Sequence, residues 1–240
     1  MRKKMKKLKI LALDKKLPSH EQVFFALLLT FVCGFFDSYT FVNYNGQFAN
    51  AQTANIILIG MELSNTNYKE ALRYVPPVVA FIMGVLFNEY IMNKFKDISI
   101  ARYINLSLLL QTCMLIFAYL VPKICFINTV PLIISFVCAM QFDSFRSVNK
   151  VQFASIFCTG NLRSATEHVF RYFYKKEKKS SDMFMIYASL LLSFIAGVIT
   201  GGILSKLMGH HAILLAILVF IINLSGANIH EKNRYRKIDV

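Results

Sequence analysis

Long runs of Leu, Ile, Val and Phe, separated by short polar stretches, set the pattern of this chain. The runs are continuous and lack the interrupted stripe of a soluble amphipathic helix, so they predict helices that are apolar on every side. A hydrocarbon core about 30 Å thick takes roughly 20 helical residues to cross. Blocks near that length predict spanning helices at Val23–Phe41, Tyr74–Met92, Tyr103–Val121, Thr129–Phe145, Met183–Ser205 and Ala212–Leu224. Two other apolar segments are shorter, Thr53–Leu63 and Thr159–Tyr172. The first would reach only ~17 Å. The second carries Arg163, Glu167 and His168, and a charge near the bilayer centre costs about 2.5–3.5 kcal/mol. Both are expected as re-entrant half-helices enclosed by protein, the first preceded by the Asn- and Gly-rich break Asn43–Gln52.

The short segments close two copies of one sequence. FDSYTFVNYNGQFANAQTAN (Phe36–Asn55) and FDSFRSVNKVQFASIFCTGN (Phe142–Asn161) align without a gap. Asp37 matches Asp143, Ser38 matches Ser144, Asn43 matches Asn149, Thr53 matches Thr159 and Asn55 matches Asn161, all at an offset of 106. Phe31–Cys33 and Phe136–Cys138 extend the match upstream, and Phe-Ile-x-Gly-Val at Phe81–Val85 and Phe194–Val198 extends it downstream. The expected fold is an all-α polytopic membrane protein with six spanning helices and two short re-entrant half-helices, built as an internal duplication. Its parts are a basic tail 1–22, a first membrane repeat 23–121, a second repeat 129–226 and a basic tail 227–240. Three spans per copy would invert one repeat relative to the other. Eight spans, with both short segments crossing, would leave them parallel and place fewer Lys and Arg on the inner side, so six is preferred.

Composition agrees with a membrane class: 56% of residues are hydrophobic and the mean hydropathy is +0.50. The net charge of +14 would suggest nucleic acid in a soluble protein. Here the Lys and Arg sit in tails and loops, as the positive-inside rule requires of a membrane protein with both termini cytoplasmic. Nucleic acid is not expected as a partner. The apolar run from Val23 exceeds the 7–15 residues of a signal-peptide core, so it is read as the first span. Cys33, Cys113, Cys138 and Cys158 lie in apolar or motif stretches and read as small buried hydrophobes, with no disulfide framework or metal site. No nucleotide-binding motif is present, and no cofactor is expected.

Helices broken inside a membrane leave unpaired N–H and C=O groups, which costs several kcal/mol per group unless protein, water or solute satisfies them. Inverted repeats with such breaks are the usual construction of secondary transporters. Thr53 and Asn55 in one half, and Thr159 and Asn161 in the other, are therefore candidate solute-binding residues at half-helix N-termini, in a site where the two broken helices are expected to meet, an environment suited to a small polar or anionic solute. Arg163, whose repeat mate is Ile57, is a candidate anion clamp or an orientation charge. Asp37 and Asp143 are candidate coupling carboxylates, or else caps of the broken backbone or partners of Arg146 and Lys150; Asn43 and Asn149 are polar repeat mates. Gly84, Gly197, Gly201 and Gly202 read as close helix packing.

The sequence resembles the YoaK-type family of bacterial integral membrane proteins, a domain-of-unknown-function family. GFFDSYTF and GQFANAQTANIILIG (within Gly34–Gly60), PPVVAFIMGVL (Pro76–Leu86) and FDSFRSVNKVQFASIFCTGNLRSATE (Phe142–Glu167) carry the resemblance, which covers Phe24 to Leu224. Ala54 stands where the family usually has Gly. The resemblance implies a multi-span inner-membrane protein and brings no substrate. The residues themselves lead to a secondary transporter or permease, with the bilayer, a small solute and a coupling ion as partners and a homo-oligomer left open. The alternatives are a non-transporting scaffold or sensor and, third, an intramembrane aspartyl hydrolase built on Asp37 and Asp143; an enzyme is not expected.

Overall fold

The computed structural model describes residues 17–96, 98–121, 123–124, 127–145, 147–148, 151–152 and 158–235. A single 3-10 turn, Ser19–Glu21, leads into α1, Val23–Asn43. The apolar block ends where Asn45 and Gly46 take positive φ of 55° and 75°, a left-handed turn that Asn tolerates and Gly adopts freely. The short helix α2, Gln52–Ser64, follows, then one further turn α3, Tyr68–Arg73, and α4, Val75–Lys94. Pro76 and Pro77 lie in the first turn of α4, where a missing N–H leaves no intrahelical bond unmade. Helix α5, Ile100–Leu120, starts on the side chain of Ser99, which accepts from the Arg102 amide.

The rest of the chain is built likewise. Helix α6, Thr129–Ser144, is followed by α7, Cys158–Phe173, α8, Lys178–Met208, and α9, Ile213–Tyr235. A turn at Gly209–Ala212, with Gly209 at φ 55°, reverses the chain between α8 and α9. Two antiparallel pairs of two residues each, Lys123–Ile124 with Ile127–Asn128 and Ser147–Val148 with Val151–Gln152, flank α6 and are too short to form a sheet.

Helix α1 is the axis of the fold. Most of its apolar window is buried, whereas α4 buries little of its own. The most extensive packing joins α1 to α8 and α4 to α6; α5 packs on α6 and α9, α9 on α1, α7 on α8, and α2 on α3 and α4. The core is aromatic and aliphatic, with Leu29, Phe35, Phe36, Tyr39, Leu115, Ile134 and Phe220 fully buried. The outer faces stay apolar: Ile82, Met83 and Leu86 on α4, Ile195, Ile199 and Ile203 on α8, and Leu218 and Ile222 on α9 are exposed. Apolar side chains on the outside of an apolar core are what a lipid-facing surface requires, since a soluble monomer seldom exposes so continuous a patch.

Glycine allows the tightest helix contacts. A Cβ on Gly197 would overlap the Phe31 carbonyl oxygen, one on Gly34 the Phe194 carbonyl oxygen, and one on Gly201 the Ser38 hydroxyl; on Gly84 it would lie 2.7 Å from the Phe136 carbonyl oxygen. Gly202 departs from its expected packing role, because it faces away from α1 and nothing lies within 4 Å of its would-be Cβ.

Two sets of hydrogen bonds fix the helix ends. At one end the Ser19 amide donates to Glu231 Oε1 at 2.6 Å, and Asn105 Nδ2 donates to Asn228 at 2.8 Å. The starts of α1 and α5 thus lie beside the end of α9. At the other end the Tyr39 hydroxyl donates to the His210 carbonyl at 3.1 Å, and His210 Nε2 lies 2.9 Å from the Tyr119 carbonyl. The ends of α1 and α5 thus meet the α8–α9 turn.

The observed helices follow the expected blocks with three differences. Helix α8 begins five residues before the expected Met183, with the polar stretch Lys178–Asp182 continuing the helix, and α9 runs on to Tyr235 through Glu231 and Lys232. Hydropathy marks only the part of a helix that needs lipid. Helix α3 was not expected, since Tyr68–Arg73 is polar. Among the described residues, four stretches are long and apolar enough to cross a membrane: Val23–Asn43, Tyr68–Lys94, Ile100–Leu120 and the 55-residue Lys178–Lys232, which contains both α8 and α9; α6 is apolar but shorter.

Candidate functional site

The break between α1 and α2 is held by side chains from both helices. Asp37, in the second turn from the end of α1 and only 5% exposed, accepts the Asn50 and Ala51 backbone amides on Oδ1 at 2.9 and 3.0 Å; its Oδ2 accepts Asn50 Nδ2 at 3.3 Å. Thr40, one turn on, accepts the Ala49 amide at 3.0 Å. From the other side Asn55, in the first turn of α2 and fully buried, clasps Phe48: its Oδ1 accepts the Phe48 amide at 3.0 Å and its Nδ2 donates to the Phe48 carbonyl at 2.6 Å. Gln52 Nε2 donates to the Ala49 carbonyl at 2.7 Å. The backbone amides of Phe48, Ala49, Asn50 and Ala51 thereby regain the partners that the lost helix would have supplied, while Asn50 Oδ1 is buried without one.

This arrangement locates charge as well as shape. The positive N-terminal end of α2 already faces a carboxylate, that of Asp37. Thr53, in the same turn, is exposed on the outer side. Its repeat mate Thr159 is likewise exposed, at the start of α7, and Asn161, like Asn55, is buried. Asn43 bonds back to the Tyr39 carbonyl at 3.0 Å and Asn149 lies outside the described residues. The expected meeting of the two short helices is not among the packed pairs: α2 lies on α3 and α4, and α7 on α8. The short connections at 65–67 and 174–177 keep each on the helix that follows it.

Arg163 points outward with 82% of its side chain exposed, and its guanidinium bonds Glu167 one turn on at 2.9 Å. That hydrogen bond, then the Arg163 charge itself, holds the Glu167 carboxyl below its ordinary range. Next to it the His168 ring stacks on Tyr187, and its burial, helped by the Arg171 charge, pushes the imidazole below its usual value. Arg163 is thus the exposed partner of a surface pair on α7.

Asp143 lies at the end of α6, 7% exposed, in a second polar cluster. Asn88 of α4, fully buried, donates Nδ2 to Asp143 Oδ2 at 2.8 Å; its Oδ1 accepts from the Tyr103 hydroxyl and from Ser144 Oγ, the latter at 3.2 Å. Ser144 Oγ lies 3.3 Å from Ser107 Oγ, which accepts Gln111 Nε2 at 2.8 Å. Three helices, α4, α5 and α6, thus share one buried hydrogen-bonded chain. Arg146 and Lys150, the expected partners of Asp143, lie outside the described residues. Asn88, Tyr103, Ser107 and Gln111 did not stand out in sequence, because each lies within an apolar block and none belongs to the duplicated motif.

An aromatic and imidazole cluster at the opposite end was also not anticipated. His210 Nδ1 lies 3.2 Å from the Tyr44 hydroxyl, and the imidazole stacks on Tyr119 with ring centroids 5.2 Å apart. The only sequence signal was the His210-His211 pair between two apolar blocks. Among the described residues no group of three His, Cys, Asp or Glu could hold a metal ion.

Long apolar helices, an apolar exterior and buried polar clusters together define an α-helical polytopic membrane protein. The family model described as Protein of unknown function (DUF1275) matches residues 25–225, and the chain belongs to this family, the one its motifs resembled. No curated protein and no solved structure matches the chain.

Proposed function

We propose that this chain is a secondary transporter or permease for a small polar or anionic solute, built as an inverted duplication in the bacterial inner membrane with both termini cytoplasmic. The observation that carries the reading is the exchange of packing partners between the halves. Taking α1, α2, α4 and α5 as one copy and α6, α7, α8 and α9 as the other, the α1–α8 pair corresponds to α6–α4, and α1–α9 to α6–α5. The α7–α8 pair corresponds to α2–α4, and α5–α9 maps onto itself. The correspondence extends to single residues, since Gly197 against Phe31 repeats as Gly84 against Phe136. Two interleaved halves that meet through small-residue contacts are suited to the rocking of one half against the other that alternating access requires.

Six crossings fit the helix directions: α1, α5 and α8 run one way, α4, α6 and α9 return, and α2 and α7 stay on opposite faces. A non-transporting scaffold is favoured by a different observation, the satisfaction of the Asp37 and Asn55 groups by backbone. A hydrolase has less support, because its two carboxylates must share a proton. Asp37 and Asp143 bond to different partners, Asn50 and Ala51 in one case and Asn88 in the other.

The architecture is tested by single cysteines at Asn45, Asn65, Lys94 and Lys176 in a cysteine-free background, labelled in intact cells by an impermeant thiol reagent. Asn45 and Asn65 should react and Lys94 and Lys176 should not. Reaction at Lys94 with none at Asn65 overturns the inversion. Transport itself is tested in proteoliposomes by charge movement on a solid-supported membrane, against a panel of small carboxylates, phosphate, amino acids and polar neutrals. Currents from at least one class, absent from empty liposomes, are expected; silence across the panel from protein of confirmed orientation refutes the transporter reading.

A further inference from the structure

We propose that the outer face of α7, with the turn that joins it to α8, is a binding surface for the anionic phospholipids of the inner leaflet. The transport reading is not needed for it; only the choice of leaflet rests on the proposed topology.

The two short helices differ in what they expose. On α2 the outward residues include Ile56, Ile57, Met61 and Leu63, and the turn after it, 65–67, carries neither Lys nor Arg. On α7 they include Arg163, Glu167, Phe170 and Arg171, and every residue from 171 to 179 is exposed. Those nine residues hold five cations, Arg171, Lys175, Lys176, Lys178 and Lys179, against one carboxylate, Glu177. The carboxylates nearby are engaged or outnumbered. Glu167 bonds Arg163 at 2.9 Å and stands 3.8 Å from Arg171, while Glu177 accepts the Ser180 hydroxyl at 3.1 Å. With Asp182 included, residues 163–182 still carry six cations to three carboxylates. Among the described residues none of the four lysines is paired with an acid. Lys176 holds a φ of 56°, which Gly or Asn would adopt at less cost, so a charge stands where the turn by itself asks for none.

Charge alone would serve only to orient the chain; the rings point to lipid. Phe170, Phe173 and Tyr174 are 55%, 66% and 76% exposed. Phe170 stacks on Tyr174 with centroids 4.9 Å apart, and Tyr172 meets Phe173 edge-on at 5.0 Å. Aromatic pairs left open beside cations suit the headgroup depth, where the ring meets acyl chain and the polar tip meets water. A helix that presents basic and aromatic residues outward lies along that interface. On the same hairpin, Leu192, Ile195 and Ile199 of α8 continue the surface with apolar side chains. A phospholipid supplies both partners in one molecule, phosphate for the cations and acyl chain for the rings. Phosphatidylglycerol adds the net negative charge that a zwitterionic headgroup lacks.

The chain contains no tryptophan, so a single one reports only on its own surroundings. Tyr174→Trp, and Tyr68→Trp at the α2–α3 turn as a control, are reconstituted as whole protein in vesicles of phosphatidylcholine and phosphatidylglycerol, with one lipid or the other brominated on its acyl chains. Quenching at 174 should favour phosphatidylglycerol by a relative binding constant of about threefold or more at low salt, falling towards one as salt rises. K175Q/K176Q/K178Q/K179Q in the same background should bring that constant to about one, and Tyr68→Trp should give about one throughout. Equal quenching by the two lipids at 174 overturns the proposal, as does a preference that survives in the folded quadruple variant. Quenching by neither lipid overturns it as well, since water or a second copy of the chain then covers the turn. Should the quadruple variant fail to fold, K175Q/K176Q and K178Q/K179Q are measured separately; each should lower the preference, and an unchanged value in both refutes the assignment.

Discussion

Removing the carboxylate of Asp37 in two ways separates its possible roles. Both backbone amides of the break, Asn50 and Ala51, reach the same oxygen, Oδ1, at 2.9 and 3.0 Å, while Oδ2 takes only the longer 3.3 Å bond from Asn50 Nδ2. Asp37→Asn can keep its carbonyl oxygen on the two amides and place its NH2 against the Asn50 amide, so it loses one weak bond and the charge. The expected cost is about 1 kcal/mol. Asp37→Ala orphans both buried amides at about 1–3 kcal/mol each, or roughly 2–6 kcal/mol in all. The break also joins α1 to α2, so the loss should loosen Ala49–Gln52 first. Thermal unfolding in detergent by fluorescence-detected size exclusion, with hydrogen exchange over residues 48–52, measures both effects. Equal unfolding temperatures for the two variants would refute the assignment of Asp37 as a backbone cap, and so would unchanged exchange at 50 and 51 in Asp37→Ala. A folded Asp37→Asn that has lost solute-driven current would place a coupling role on top of the cap.

Other substitutions probe the same framework by the same unfolding assay. Gly197→Ala should destabilise strongly and Gly84→Ala less, since a Cβ at 84 meets Phe136 O at 2.7 Å and Ala139 Cβ at 2.7 Å, while Gly202→Ala and Gly60→Ala meet nothing and should be neutral or slightly stabilising. Asn55→Ala should cost about 2–5 kcal/mol by orphaning the Phe48 amide and carbonyl, and Thr53→Ala less than about 0.5 kcal/mol, a ranking that fails if the two variants melt together. Arg163→Gln should leave unfolding within about 0.5 kcal/mol of the parent because its pair with Glu167 is exposed; a larger loss would show a buried role.

Much of the fold was legible because lipid imposes a coarse rule. A helix that meets hydrocarbon is apolar for most of a crossing, so Val23, Ile100 and Thr129 lie at or within a few residues of the predicted starts of their helices. The rule is silent beyond the lipid, which is why Lys178–Asp182 and Glu231–Tyr235 escaped notice. The Asp37 break was legible through its copy, since Asn50, Asn55 and Asp37 stood in a stretch that occurs twice. The α4–α6 cluster was not. Asn88 is one amide in Leu86–Tyr90, and its importance comes from Asp143, 55 positions away, and Ser144, 56 away, neither of which leaves a periodic trace near it.

On the proposed duplication, the same two positions explain why the Asn88–Ser144 contact has no counterpart between Ser38 and Gly201. The offset of 106 pairs Ser38 with Ser144, and the downstream offset of 113 pairs Asn88 with Gly201. Ser38 therefore faces Gly201 across α1 and α8 as Ser144 faces Asn88 across α6 and α4. In the first half glycine brings the helices so close that Ser38 turns its hydroxyl back to the Phe35 carbonyl at 3.1 Å. In the second half Asn88 stands where the first has Gly201, and Ser144 bonds to Asn88 and lies beside Ser107. Gly201→Asn should thus push α1 from α8 and destabilise by several kcal/mol, since its first carbon already overlaps Ser38. Asn88→Gly removes the amide and leaves Asp143 without that donor. If Gly201→Asn folds as well as the parent, Gly201 does not set the approach of α1 to α8, and the missing counterpart of the Asn88–Ser144 contact needs another cause.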